Sequence, residues 1–144
     1  MGITEPGIHY VRAKPHLFLR NGVFDPKDVC GRMATQAFLL GATTVRLMER
    51  DSWWIIESDH DWLSDPAEIE DPLLPFRKIL SNERLGQNSC YGEVVLAAFA
   101  DVLCVFRAGR EAFRVCGEGE VPREVEEEIG DSFAIVFALL SKGG

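Results

Sequence analysis

Apolar residues recur along this chain with two different periods, and the switches between them mark its elements. From Pro26 to about Leu40, the residues Val29, Met33, Ala37 and Leu40 return at intervals of three and four, which is one face of a helix. Asp25 ahead of Pro26 suits the helix start, because a carboxylate accepts from the unpaired first-turn amides and proline needs no partner there. Gly41 suits its end. The pattern then changes to strand, tight turn and strand in "TTVRLMER", "RDS" and "WWIIES", so 43–58 is predicted to be a hairpin with Val45 and Leu47 on one face. Trp53 and Trp54 are adjacent on a strand and cannot both face the same layer.

Before this, "PHLFLR" reads as a short extended segment and "NGVFDP" as a turn. After it, 59–75 holds Pro66, Pro72 and Pro75 among acidic residues, which predicts a loop with at most a short helical turn. "FRKIL" reads as a short helix or an ordered lid segment. A second helix is predicted from about Tyr91, with Val94, Val95, Ala98 and Phe99 on its buried side. "DVLCVFRAGREAFRVCG" reads as two strands around an Ala-Gly turn, 118–131 as a solvated acidic stretch, and "SFAIVFALL" as a final buried strand. The order helix, hairpin, loop, helix, hairpin, strand predicts an α+β protein built as a two-layer α/β sandwich. No repeat or linker divides residues 1–144, so a single domain is expected, with 1–20 an N-terminal extension and 140–144 a flexible tail.

Composition narrows the function classes. A formal net charge of −8 argues against nucleic acid and anionic membrane as partners. The chain lacks an apolar run of about 18 residues and the pattern of a secretory signal, so a cytoplasmic protein is expected. The cysteines at 30, 90, 104 and 116 form no C-x-x-C pair and read as ordinary reduced thiols. Two local groupings invite chemistry. Asp59, His60 and Asp61 are metal-ligand types, but neighbours on a strand point apart, so only Asp59 and Asp61 converge simply. Cys90 close to Glu93 has the look of an activated thiol, with no histidine near in sequence to serve as its base.

Three stretches in order resemble the GHKL ATPase superfamily, and the MutL mismatch-repair proteins in particular. "ATQAFLLGATTVRLMERDSWWIIESDHDWL" is similar to that family's E-L-V-x-N-A-x-D-A-G-A-T, strand, turn, strand, D-N-G-x-G, with Gly41-Ala42-Thr43 on the G-A-T and Asp59 on the last motif's aspartate. "SCYGEVVLAAFADVLCVFRAG" resembles the G-F-R-G-E-A-L-A-S-I-x-x-V lid and helix, with Gly92 and Glu93 on its second glycine and its glutamate. "IGDSFAIVF" resembles the G-T-x-V-x-V strand. The resemblance spans about 25–138 and implies a small, truncated GHKL (Bergerat) fold. It implies that Asp59 accepts from the adenine amino group, that Gln36 is the magnesium ligand, and that Arg32, Ser89 and Gly92 line the nucleotide site.

The same comparison implies a decayed site. The family's general-base glutamate is Arg32 here, which stays protonated and cannot take a proton from water. The metal-binding asparagine is Gln36, the first lid glycine is Ser89, and the glycines after Asp59 are replaced within His60-Asp61-Trp62-Leu63. The expectation is therefore a non-catalytic binding or regulatory module with a protein partner and no cofactor; a pocket filled by Trp62 and Leu63 favours it, and an open pocket with Arg32 directed inward favours nucleotide binding. An immunity- or antitoxin-like inhibitor presenting acidic residues 118–131 to a basic partner is one form of it. The alternative is a divergent protein that binds ATP and magnesium, with weak ATPase or phosphotransfer activity.

Overall fold

The computed structural model describes residues 6–64, 73–77, 79–80, 83–85, 91–128 and 133–141. Its centre is a five-stranded antiparallel sheet in the order β1-β2-β5-β3-β4, formed by Val45–Arg50, Trp53–Ser58, Val102–Arg107, Phe113–Cys116 and Ile135–Leu140 as β1 to β5. Helices α1 (Pro6–Ala13), α2 (Pro15–Phe18), α3 (Pro26–Leu39), α4 (Leu74–Arg77) and α5 (Glu93–Phe99) precede or interrupt the strands, and α6 (Arg123–Glu128) comes before β5. The result is the mixed α+β, two-layer arrangement expected from the element order, with helices packed on an antiparallel sheet. No helix among the described residues is long and apolar enough to cross a membrane.

Local chemistry starts and stops the elements as the residue types demand. Asp25 accepts from the Lys27 amide at 3.1 Å and Pro26 occupies the first turn of α3. The β1–β2 hairpin turns on Asp51 and Ser52 at φ of 52° and 70°, the twin left-handed pair that matches strand twist. Pairing runs from Arg50 opposite Trp53 to Val45 opposite Ser58.

The last strand in sequence is the central one. β5 inserts between β2 and β3, placing Phe137 between Ile56 and Val105 and, on the opposite face, Ala138 between Ile55 and Cys104. The Phe137 face carries the main core, shared with Val29, Met33 and Ala37 of α3 and Val94 to Ala98 of α5. The other face buries a smaller cluster of Trp53, Ile55, Val102 and Val136 under Val125 of α6. The two tryptophans thus separate: Trp53 packs on this second face, while the half-buried Trp54 packs against the main core.

Three local expectations change. "PHLFLR" is a helical turn rather than extended, because Pro15 starts α2 and the Leu19 amide bonds back to the Pro15 carbonyl at 2.8 Å. The β3–β4 connection is longer than an Ala-Gly turn: β3 stays paired with β5 out to Arg107, whereas its pairing with β4 begins only at Val105 opposite Phe113. Within the acidic stretch, Val125 is buried, so α6 is anchored to the sheet by one apolar residue, with Arg123, Glu124, Glu126 and Glu127 exposed. Residues 6–20 also join the packing, with Val11 fully buried and Arg12 Nε donating to the Ala98 carbonyl at 2.8 Å.

Candidate functional site

Gly92, the residue just before α5, packs against the α3 side chains Met33 and Gln36. A Cβ there would lie 2.6 Å from Met33 Sδ, so a larger residue requires the thioether to shift. The Gly92 amide donates to Gln36 Oε1 at 2.6 Å, and Gln36 Nε2 donates to Glu93 Oε1 at 2.5 Å. The other carboxylate oxygen, Glu93 Oε2, accepts from Trp62 Nε1 at 2.8 Å. Gln36, Glu93 and Trp62 are all buried. Burial pushes the Glu93 carboxyl above its ordinary value, and the hydrogen bonds from Trp62 and Gln36 oppose that rise. A carboxylate at the start of an otherwise apolar helix "EVVLAAF" was the sequence signal for this hub, but its partners lie 57 and 31 positions away.

A cleft of about 380 Å³ opens beside this network, between α2, α3 and α5. Arg32, Gln36 and Gly92, three of the residues singled out by the resemblance, line it together with Met33 and Val95. Arg32 is about half exposed, and its Nη1 donates to the Phe18 carbonyl at 2.7 Å. Gln36 reaches the cleft with both ends of its amide already hydrogen-bonded.

Asp59 lies elsewhere. It follows β2, exposed, and is not among the residues lining the cleft. Its carboxylate accepts from the amides of Thr43 and Thr44 at 2.9 and 3.2 Å and from the Thr43 hydroxyl. The Thr43 hydroxyl, then the two amides, hold the Asp59 carboxyl below its ordinary range. This ties the start of β1 to the end of β2. Ser89 and Cys90 lie outside the described residues.

The segment after Asp59 turns inward. Trp62 and Leu63 are buried in the main core, with the Trp62 ring edge-on to Phe137 at 5.6 Å between centroids. Asp61 Oδ1 accepts from the Leu63 amide at 3.0 Å, while Oδ2 accepts from Arg107 Nε at 2.7 Å in a largely buried pair. His60 packs instead against Gly41, its ring 3.6 Å from where a Cβ would sit. Asp59, His60 and Asp61 therefore point to three different partners, and no group of metal-ligand residues converges among the described residues. Burial also pushes the Cys30 thiol up to about 12 and raises those of Cys104 and Cys116, which leaves them poor nucleophiles at neutral pH.

No family model, curated protein or solved structure matches the chain.

Proposed function

We propose that this protein is a non-catalytic binding module, a small GHKL-like domain whose nucleotide site has been closed by its own side chains. The observation that carries the reading is the buried, mutually hydrogen-bonded hub of Gln36, Glu93 and Trp62. A magnesium ligand must turn its oxygen toward an ion that keeps several of its waters. Gln36 Oε1 is held at 2.6 Å by the Gly92 amide in a buried setting, and its Nε2 is held by Glu93. Trp62 and Leu63, where the family pattern has the nucleotide-facing turn, are core residues. Asp59, on the adenine-reading aspartate of the pattern, spends its carboxylate on Thr43 and Thr44. Arg32 has no capacity as a base. The residues present do not fit magnesium-ATP, and no hydrolytic step is assigned to them.

A binding role leaves the acidic surface free to engage a basic partner protein, with Glu124, Glu126 and Glu127 exposed or solvated around the single anchor Val125. One observation favours the alternative of a divergent ATP-binding enzyme: Arg32, Gln36 and Gly92 share a cleft. Calorimetric titration with ATP, in magnesium and then in EDTA and at two temperatures, separates the two. The expected result is no heat of binding at either temperature. Magnesium-dependent binding in the micromolar range would overturn the closed-site reading.

A further inference from the structure

We propose that the cleft between α2, α3 and α5 binds a small amphipathic acid, its carboxylate on Arg32 and its hydrocarbon part on the apolar wall. This goes beyond the closed ATP site and does not depend on GHKL kinship. The cleft volume of about 380 Å³ falls within the range of small-molecule sites. Its apolar side is made by Phe18, Val29, Met33, Leu85 and Val95, and Thr35, Gln36 and Gly92 also line it. Leu17 and Leu39 continue the apolar surface to the mouth, where they remain 58% and 46% exposed. Apolar side chains at the rim of a concave site are surface that a ligand's hydrocarbon would remove from water.

The charge pattern selects the headgroup. Among the described residues, Arg32 is the sole charged side chain lining the cleft, in a chain of formal net charge −8. Its Nη1 is anchored on the Phe18 carbonyl at 2.7 Å, which holds the guanidinium at the cleft wall. Asp28, one turn earlier, makes a loose ion pair with Nη1 at 4.0 Å and lines the adjoining depression rather than the cleft. Nε and Nη2 have no hydrogen-bond partner among the described residues, so the fork can still receive a carboxylate. The adjoining depression is of mixed charge, with Asp25 and Asp28 beside Arg20 and Lys27, and it lacks the run of apolar side chains that would seat a hydrocarbon. A polyphosphate needs several cations, and among the described residues this cleft offers one, beside an apolar side.

The test is calorimetric titration of the full chain with sodium octanoate, and separately with 1-octanol, which has the same chain and no charge. Octanoate is expected to bind saturably, and octanol about tenfold more weakly, the loss of one charge-assisted contact. Arg32→Gln should weaken octanoate about tenfold with octanol unchanged, and Arg32→Lys should fall between. Thr35→Trp, at an exposed position on the cleft lining, should block both ligands. Absence of saturable octanoate binding, equal affinity for the alcohol, or an Arg32→Gln variant that binds octanoate as the parent does would each overturn the proposal. The acid–alcohol comparison on the unaltered chain decides the matter even if a variant fails to fold.

Discussion

Trp62 donates its indole N–H to the fully buried carboxylate of Glu93 at 2.8 Å, joining the segment that follows β2 to the first residue of α5. Gln36 holds the other oxygen of that carboxylate from α3. Three elements far apart in sequence are thus tied by one acidic side chain with no water-facing surface. Glu93→Ala leaves both donors unsatisfied and a void between helices. The expected loss is about 3 kcal/mol of unfolding free energy in urea titrations, and an unchanged midpoint would remove Glu93 from its central place.

The same residue sets a pH dependence. Its folded pKa is raised, so between the ordinary value of 4.5 and the raised one the folded state holds a proton that the unfolded state has lost. The stability contributed by this group is full below that ordinary value and declines as pH rises through the window. Glu93→Gln cannot titrate. The difference in unfolding free energy between the parent and this variant should therefore shift against the parent as pH is raised from acid toward neutral. A difference independent of pH would contradict the assignment.

Two glycines should differ in cost for a geometric reason. At Gly92 an added Cβ meets the mobile end of Met33 at 2.6 Å, so Gly92→Ala should lose about 1–3 kcal/mol as the thioether moves aside. At Gly117 the Cβ would lie 1.9 Å from the Asp101 carbonyl oxygen, with φ at +82°. Backbone does not yield as a side chain does, so Gly117→Ala should cost more than Gly92→Ala, above about 3 kcal/mol. Chemical denaturation of both variants gives the order directly.

Arg107 and Asp61 form a largely buried pair, with side-chain exposures of 6% and 13% and a contact of 2.7 Å. Removing one partner takes a short charge-assisted contact from the other in a largely buried setting. Arg107→Ala is expected to cost about 3–5 kcal/mol. The double variant with Asp61→Ala should lose clearly less than the sum of the two single losses, as a double-mutant cycle would read. Strict additivity would mean that the pair is not coupled.

Asp59 is the residue on which two roles diverge. As the fastener of Thr43 and Thr44, its replacement by Asn should lower the melting temperature slightly and leave ligand titrations as they were. Its folded pKa is depressed, so its contribution is present above the ordinary carboxylate value of 3.8 and fades as pH falls through the lower one. The melting difference between parent and Asp59→Asn should therefore shrink at strongly acidic pH. Growth of that difference on acidification would reject the fastening role.

Much of the local architecture was legible because it rests on short-range rules. The period of Val29, Met33 and Ala37 marks the buried face of α3, Asp25-Pro26 marks its start, and the change to alternation after Thr43 marks the hairpin. The α2 turn was missed because proline's start signal in "PHLFLR" competes with β-compatible apolar residues over too few positions to establish a period. The candidate site was legible only in part. Arg32 and Gln36 are one helical turn apart and had to share a face, whereas Gly92 joined them through packing alone.

Spacing along the chain, then, determined α3, α5, the strand pairs and the two-layer class, because capping, proline and side-chain period act within a few residues. Tertiary structure alone decided that the last strand lies at the centre of the sheet, that Asp59 is separated from the Gln36 cleft, and that Glu93 is a buried hub. Each of these depends on residues dozens of positions apart competing for the same space and the same hydrogen bonds. No period in a sequence records the outcome of that competition.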